Sequence, residues 1–375
     1  MTTTLRPEPA KLNGRTPTLP HRGTQAPPRV HFGRRTLILR RFGMAYRFNL
    51  RSLVVCLVMV ILTVLISLWA LASGDYELTI PEVWGALLND PEAGFARTVV
   101  VGWRLPRVLG AVVFGAALGA SGAIFQSLTR NPLASPDIIG FSTGSYTGAL
   151  VVIIVIGGGY LHLAAGALVG GILTALAVYL LAWRRGVQGF RLIIVGIGIS
   201  AMLASLNTWL ILRADLDVAM SAAAWGAGSL NATTWDQLTH GTLAILILFA
   251  LLMGLAPSQR QLELGDDAAK ATGVKGETSR LALVVVGVAL TATVTASAGP
   301  ISFIALAAPQ IARRLARTPG VTLVPAAITG ALGLAAADYT AQHLLPSALP
   351  VGVVTVVLGG GYLVWLLIHE MRKRP

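Results

Sequence analysis

Long apolar runs separated by short polar connections occupy the chain from about residue 50 to its end. An α-helix needs about 20 residues to cross the hydrocarbon core of a membrane. Most of the runs have this length, and two of them, 139–183 and 281–312, are longer than one crossing requires. The pattern therefore predicts a bundle of membrane-spanning helices. The runs cover residues 52–73, 108–128, 139–183, 192–212, 238–256, 281–312, 321–340 and 351–368.

The positions of the basic residues predict how the two longer runs fold. Because Lys and Arg favour cytoplasmic connections, each stretch between two basic clusters must cross the membrane an even number of times. Run 139–183 then contains two helices, separated by a break at 157–159. Run 281–312 also contains two helices, separated at Gly299-Pro300, and the second of them, over 301–312, is short. We predict an all-α, polytopic membrane protein with ten helices and both termini in the cytoplasm. The clusters are Arg130; Arg184, Arg185 and Arg191; Arg260, Lys270, Lys275 and Arg280; Arg313, Arg314 and Arg317; and Arg372, Lys373 and Arg374.

The composition fits a membrane protein and locates the net charge. Apolar residues make up 54% of the 375 residues and charged residues only 12%, whereas a soluble domain has about 25% charged residues. Of the net charge of +13, residues 1–51 contribute +10, from eleven Lys and Arg and one acid, Glu8. We therefore expect a disordered basic cytoplasmic tail over residues 1–50, a ten-helix membrane domain over residues 51–375, and no nucleic-acid partner.

Charged residues are nearly missing from the apolar runs. Runs 108–128, 139–183, 192–212 and 281–312 contain none, although ion-coupled carriers keep such groups inside the membrane at a cost of roughly 3 kcal/mol each. We interpret Asp338, at the outer end of its predicted helix, as an interfacial cap. An ion-coupled carrier is therefore disfavoured, and we expect the energy source for transport to lie outside this chain.

The sequence has no pattern for binding a nucleotide or a metal. The phosphate-binding pattern G-x-x-x-x-G-K-[ST] is absent, and this pattern supplies the backbone amides that hold a nucleotide's phosphates. The single cysteine, Cys56, and six scattered histidines lack the spacing of metal ligands. We therefore expect this chain itself to bind no cofactor and no metal.

A serine inside the second predicted helix allows an alternative from another functional class. Gly119-Ala120-Ser121-Gly122 matches the G-x-S-G pattern of intramembrane serine proteases. Such an enzyme needs a histidine base beside its serine, and the topology places His162 and His343 near the outer surface. Small residues spaced by four also let helices approach closely. Helix packing is the favoured interpretation, and a protease built on Ser121 is the alternative.

Two charged segments suggest contacts with other proteins. Arg104 and Arg107 lie on the side that the charge rule otherwise keeps poor in Lys and Arg. They could extend to the membrane interface or bind acidic groups of a soluble partner. Residues 262–274 predict a short cytoplasmic helix that follows Gly265, has acids in its first turn and stops at Gly273. On physics alone this helix is either a structural loop or a partner contact.

Four segments resemble the signature blocks of the FecCD-type permeases, which are the membrane subunits of ABC importers for ferric siderophores, haem and vitamin B12. The similarity extends from about residue 50 to the C-terminus, and the blocks keep the order of the family. The resemblance implies a ten-helix type II importer fold, in agreement with the topology derived from charge. The blocks are RLPRVLGAVVFGAALGASGAIFQSLTRNPLASPDIIGFSTG (104–144), LGDDAAKATGV (264–274), AGPISFIALAAPQIARR (298–314) and LPVGVVTVVLGGGYLVWLL (349–367).

The resemblance also implies roles for individual residues. Arg104 and Arg107 would bind acidic residues of a substrate-binding protein. The short cytoplasmic helix would be the coupling helix, which sits in a cleft of a separate ATPase, and helix 192–212 would line the translocation path with neutral polar groups. The coupling helix comprises Gly265, Asp266, Asp267, Ala268, Ala269, Lys270, Ala271, Thr272 and Gly273, and the path residues are Gly196, Gly198, Ser200, Ser205 and Asn207.

The implied assembly lies in the cytoplasmic (inner) membrane and has several partners. They are a dimer of ABC ATPase subunits that binds ATP and Mg²⁺, a second permease subunit expected to be a paralogue, and an extracytoplasmic siderophore-binding protein. We expect a ferric siderophore as substrate, with a catecholate favoured and haem or vitamin B12 as the alternative. Two residues depart from the family pattern: Gln310 stands where most relatives have His, and Gln342 where some vitamin B12 relatives have Arg.

Overall fold

The structure is a computed structural model that describes residues 36–41, 44–90, 94–182, 189–320 and 322–371. Helices account for most of these residues, and three short π-helical turns, Thr98–Arg104, Val152–Ile156 and Thr340–Leu344, continue neighbouring helices. The helices are α1 (Leu50–Ala72), α2 (Ile80–Leu87), α3 (Gly94–Arg97), α4 (Leu105–Thr129), α5 (Phe141–Val151), α6 (Tyr160–Ala182), α7 (Gly189–Arg213), α8 (Leu216–Gly226), α9 (Trp235–Glu263), α10 (Asp266–Ala271), α11 (Gly276–Ala298), α12 (Ile304–Ala316), α13 (Leu323–Tyr339) and α14 (Val351–Met371).

The structure confirms both predicted breaks in the long apolar runs. The π-helical turn after α5 ends at Gly157, whose φ of 72° lies in the left-handed region that favours glycine. At the second break α11 ends at Ala298, Gly299 has φ 73°, and the short helix α12 follows. The predicted count of ten membrane-crossing helices stays a prediction. Among the residues that the structure describes, seven helical spans are long and apolar enough to cross a membrane, so the protein is a multi-pass membrane protein.

Helices α4 and α11 lie at the centre of the bundle. Their buried side chains Phe114, Leu118, Leu283 and Leu290 form one apolar core with Leu334 of α13. Helices α1 and α7, in contrast, are largely exposed along their length. The bundle therefore has a tightly packed interior, and its outer helices offer apolar surface to lipid or to another subunit.

Glycines allow α4 and α13 to pack with their backbones almost in contact. A methyl group at Gly115 or Gly119 would overlap the backbone of α13 at Gly330 or Ala326, and one at Gly330 would overlap Gly115. Helices α5 and α6 meet in the same way through glycines spaced by four. Since any larger residue would force these helices apart, the small-residue pattern read from the sequence serves close packing.

A two-stranded hairpin precedes α1 and differs from the predicted disorder of residues 1–50. Strands β1 (Thr36–Arg41) and β2 (Met44–Asn49) pair antiparallel, with Thr36 opposite Asn49 and Arg41 opposite Met44. The short stretches Leu37-Ile38-Leu39 and Tyr46-Arg47-Phe48 contain β-branched and aromatic residues that favour strands. The overall polar composition of the tail conceals this local preference. The remainder of the predicted disordered tail, residues 1–35 and 42–43, lies outside the described residues.

Candidate coupling, docking and transport sites

Helix α10 lies in the connection between α9 and α11, where the sequence predicts a short cytoplasmic helix. Gly265 precedes it with φ 118° and Gly273 follows it with φ 82°, conformations that other residues seldom adopt. The helix ends at Ala271, two residues before the predicted stop. Ala269 is fully buried, and its carbonyl accepts a hydrogen bond from the Val274 backbone N–H at 3.0 Å. The short helix is therefore packed against the rest of the chain.

The two acids of α10 have different surroundings. Asp266 forms ion pairs with Arg280 of α11 and, at 3.6 Å, with Arg130 at the end of α4. Asp267 and Lys270 are exposed, and Leu264 just before the helix is 72% exposed although it is apolar. Asp266 thus contacts α4 and α11, while Leu264, Asp267 and Lys270 present apolar and charged groups to solvent or to a partner.

Arg104 is engaged by carbonyl oxygens of its own chain. Its guanidinium donates hydrogen bonds to the carbonyl of Leu71 at 2.8 Å and to the carbonyl of Tyr76 at 2.7 Å. Both acceptors lie at or just beyond the end of α1. Arg104 therefore connects the start of α4 to the end of α1, and only part of its hydrogen-bonding capacity is left for another protein.

Arg107 forms a buried ion pair with Asp338, so the interpretation of Asp338 as an interfacial cap is wrong. The Arg107 Nη2 atom lies 2.9 Å from Oδ2 of Asp338, and Nε donates to the same carboxylate at 3.0 Å. Asp338 has a side chain that is only 4% exposed, and that of Arg107 is 19% exposed. The close packing of α4 and α13 brings together these residues from distant parts of the sequence.

A cavity of about 320 Å³ lies beside this ion pair. Its walls combine charged groups with the aromatic rings of Tyr76, Phe95 and Trp103, and the ring of Phe95 contacts the other two edge to face. All three rings are exposed. Gln342 also lines the cavity and donates hydrogen bonds to Asn231 and to the Leu349 carbonyl. The predicted docking arginines thus lie at the rim of a polar and aromatic surface.

The five predicted path residues of α7 lie on two different faces of the helix. Gly196 contacts the backbone of Ile139, Ser200 donates a hydrogen bond to the Gly196 carbonyl at 2.7 Å, and Asn207 is 4% exposed. In contrast, Gly198 has open space around it and Ser205 is exposed. The helical period of 3.6 residues places the two groups on opposite faces of α7, and the assignment of all five residues to the translocation path stays a prediction.

Gln310, which departs from the family pattern, belongs to a buried network of amides. Its Nε2 donates to Oε1 of Gln126 at 2.5 Å, and Arg313 donates to Oε1 of Gln310 at 3.2 Å. Gln126 in turn donates to the Leu306 carbonyl at 2.9 Å. The network joins α4 to α12 and satisfies polar groups that would be costly to bury alone.

Ser121 is fully buried between α4 and α11. Its hydroxyl donates to the Gly287 carbonyl at 2.7 Å and lies 2.9 Å from the hydroxyl of Thr291. The hydroxyl is therefore occupied in helix packing. This environment supports the packing interpretation over a protease nucleophile.

Asp137 is a partly buried acid that the sequence reasoning did not single out. It lies between the apolar runs, and its Oδ2 accepts a hydrogen bond from the Phe303 backbone N–H at 3.0 Å. The signal in the sequence is an isolated carboxylate inside the otherwise uncharged segment 133–141. Among the described residues, no three His, Cys, Asp or Glu side chains are grouped as metal ligands would be.

Comparisons with known proteins find relatives that match most of this chain. The chain is 52% identical over 325 residues to the ferric enterobactin transport system permease protein FepG of Escherichia coli K12, covering 86% of this chain and 98% of that protein. It is 34% identical to the achromobactin transport system permease protein CbrC of Dickeya dadantii, over 89% and 97% of the two chains.

The fold also matches a solved transporter. A metal-chelate type ABC transporter in an inward-facing conformation superposes with a TM-score of 0.73 at 26% identity, over 84% of this chain and 99% of that one. The model of the FecCD transport family matches residues 58–369. The chain therefore belongs to the FecCD transport family.

Proposed function

We propose that this protein is the permease subunit of an ATP-driven importer that carries a ferric siderophore across the cytoplasmic (inner) membrane. The observation that carries the proposal is the 52% identity to a ferric enterobactin permease along nearly the whole of that protein. A catecholate chelate is the favoured substrate. The wider set of relatives includes permeases named for achromobactin, ferric hydroxamate and ferric dicitrate, so these chelates are the comparison substrates.

Helix α10 is the proposed contact with the ATPase dimer, which would bind ATP and Mg²⁺. The exposed surface of Leu264, Asp267 and Lys270 combines an apolar side chain with both charges and lies beside the packed residue Ala269. Asp266 lies beside Arg130 at the end of α4 and Arg280 of α11, so α10 contacts both helices. A movement imposed on α10 from outside would therefore be passed to two central helices.

The outer surface around Arg104 and Arg107 is the proposed docking site for a siderophore-binding protein. Asp338 neutralises the charge of Arg107, whereas Arg104 binds only neutral carbonyl oxygens. We therefore infer that Arg104 supplies the positive charge of this surface and a few remaining donors. The exposed rings of Tyr76, Phe95 and Trp103 would add apolar contact area. A second permease subunit, expected to be a paralogue, would cover the exposed apolar helices such as α7.

The test is uptake of iron-loaded siderophores by cells that lack their own permease for these chelates. The chain is expressed together with its ATPase, second permease and binding protein, and uptake of labelled ferric enterobactin is compared with that of ferric hydroxamate, ferric citrate, haem and vitamin B12. We expect ATP-dependent uptake of the catecholate in preference to the others. Preferential uptake of haem or vitamin B12 would contradict the proposed substrate and favour the alternative on the same fold.

A further inference from the structure

The segment between α4 and α5, residues 130–140, is packed although it forms only turns. Ser135 and Ile139 are fully buried, and a buried loop must satisfy its own backbone polar groups. Here the Ala134 N–H donates to the Asn131 carbonyl at 3.2 Å, and the Ile139 N–H donates to the Ser135 carbonyl at 3.0 Å. We call residues 130–140 the connecting segment. Its internal hydrogen bonds and burial make it a compact unit of the bundle.

One end of the connecting segment contacts α10. Arg130 ends α4 in a left-handed conformation with φ 50°. Its guanidinium donates to the Leu262 carbonyl at 3.0 Å and lies 3.6 Å from the Asp266 carboxylate. Both side chains of this ion pair are about half exposed, so the pair itself contributes little to stability. The ion pair matters because it joins the connecting segment to the proposed coupling helix.

The other end of the connecting segment contacts α7. A methyl group at Gly196 would come within 2.5 Å of the Ile139 carbonyl oxygen, so the two backbones already touch. Gly140 has φ 95° and lies directly against the Ser200 side chain. Because there is no free space at either contact, the connecting segment and the inner face of α7 must move together or separate.

Asp137, in the middle of the connecting segment, joins it to α12 and α14. Its Oδ2 accepts from the Phe303 N–H, just before α12. Phe303 adopts φ 69° and places its side chain against Gly359 of α14, where a methyl group would overlap it. The left-handed conformation of a bulky residue is strained, and the hydrogen bond from its N–H to Asp137 opposes that strain.

We propose that the connecting segment transmits movement of α10 to α7 and α14, and that Asp137 is the positioning residue that maintains this connection. The inference rests on the proposed role of α10 as the coupling helix. Without the Asp137 carboxylate, the backbone N–H of Phe303 loses its acceptor, and a donor left without a partner inside the bundle favours another local conformation. Phe303 can then adopt another backbone conformation, and movement of the connecting segment is no longer transmitted to α12 and α14.

Two substitutions at Asp137 separate this role from general destabilisation. Burial raises the pKa of the Asp137 carboxyl above its ordinary value, so a neutral amide of the same shape suits the site. Asp137→Asn keeps an oxygen that can accept from Phe303, whereas Asp137→Ala removes it. We expect Asp137→Asn to transmit movement normally and Asp137→Ala to fail.

The experiment follows α7 directly in the assembled importer. The chain carries Cys56→Ser and Ser205→Cys, a spin label is attached to the new cysteine on the exposed face of α7, and the complete complex is placed in lipid nanodiscs. The change in the label's spectrum on trapping with ATP and vanadate is measured, together with ATP hydrolysis with and without the binding protein. In Asp137→Ala we expect both the spectral change and the stimulation of hydrolysis to fall about fivefold or more, while basal hydrolysis is unchanged.

A reference variant distinguishes failure of this inference from failure of the proposed role of α10. Ala269→Pro interrupts α10, so it should abolish the spectral change. If Ala269→Pro abolishes the change and Asp137→Ala keeps it, α10 couples by another route and the inference is wrong. If Ala269→Pro itself keeps the change, the coupling role of α10 is wrong, and the inference falls with it.

A second variant covers the case in which Asp137→Ala does not assemble. Phe303→Gly suits the left-handed backbone at this position and removes the side chain that contacts Gly359. It should reduce the spectral change as Asp137→Ala does, with basal hydrolysis preserved. A full spectral change in Phe303→Gly would overturn the connection to α14.

Discussion

Two arginines near the start of α4 are bound by groups of their own chain. Arg107 and Asp338 share a buried bidentate contact, and Arg104 donates to carbonyls at the end of α1. A buried charge is costly unless it is paired and hydrogen-bonded. For these arginines, the structural role is therefore visible in the contacts, and any docking role is additional to it.

Removal of one member of the buried ion pair should destabilise the protein strongly. Arg107→Ala leaves the buried Asp338 carboxylate without its partner, which typically costs about 3–5 kcal/mol. The double variant Arg107→Met and Asp338→Leu removes both charges and should recover most of this loss. The measurement is the midpoint of thermal unfolding of the purified chain in detergent.

The control for this prediction is Arg97→Ala, which removes an exposed arginine near the same end of the bundle. It should change the midpoint little, because isolated surface charges contribute at most about 1 kcal/mol. If Arg107→Ala lowers the midpoint no more than Arg97→Ala does, the ion pair does not stabilise the fold.

In α7, small and polar residues occur both on the face that packs against the chain and on the exposed face. Along α7, Gly196, Ser200 and Asn207 face the chain's own core, while Gly198 and Ser205 face outward. The outward face is otherwise apolar, with Met202 and Leu212 among its most exposed residues. Substitutions a few residues apart in α7 should therefore have different consequences.

Gly198→Leu and Gly196→Leu form a matched pair of substitutions in α7. A side chain at Gly198 meets nothing within 4 Å in the chain, whereas one at Gly196 overlaps Ile139. Gly196→Leu should lower the amount of folded protein, since forced overpacking costs about 1–3 kcal/mol. Gly198→Leu should assemble normally and reduce siderophore uptake strongly if the outward face lines the path.

Both α7 variants are measured by immunoblot of membranes and by uptake of labelled ferric siderophore. Normal uptake by a well-assembled Gly198→Leu variant would mean that the outward face of α7 contacts lipid or another subunit away from the path.

Helix α10 offers a second matched pair, with the same substitution at neighbouring positions. The Ala269 N–H donates to the Gly265 carbonyl at 2.9 Å, so Ala269→Pro removes a hydrogen bond and should interrupt α10 and abolish uptake and stimulated ATP hydrolysis. Ala268 lies in the first turn, where proline is tolerated. Ala268→Pro should therefore keep most of the activity.

The readouts for α10 are uptake, ATP hydrolysis and recovery of the subunit from the membrane. Equal activity in the two well-inserted proline variants would show that the helical form of α10 is not needed for coupling.

At the scale of the whole molecule, the distribution of charge predicts a single orientation. Of the 29 Lys and Arg residues, the ten-helix topology leaves only Arg97, Arg104, Arg107 and Arg213 outside. Because basic loops are retained in the cytoplasm, the connection that contains α10 and the connection between α13 and α14 should lie on opposite sides of the membrane.

Cysteine labelling tests this orientation in a Cys56→Ser background. Ser347 lies in the connection between α13 and α14, and Lys275 in the connection between α10 and α11; both are exposed. A maleimide that cannot cross membranes should label Ser347→Cys in intact spheroplasts and Lys275→Cys only after the membrane is opened. The reverse result would invert the topology.

The sequence by itself determined the membrane class, the breaks between helices and the family, because these depend on local features: apolar runs, glycines at turns, and contiguous motif blocks. It could not determine which residues meet. The Arg107–Asp338 pair spans 231 positions and the Asp137–Phe303 contact 166, and both arise from the packing of helices that are remote in the sequence. In the sequence, the candidate path residues of α7 are all small or polar positions in an apolar helix and cannot be told apart. The packing of α7 against the bundle decides which of them are buried and which are exposed. Tertiary structure decided these contacts because burial and pairing are properties of the folded bundle.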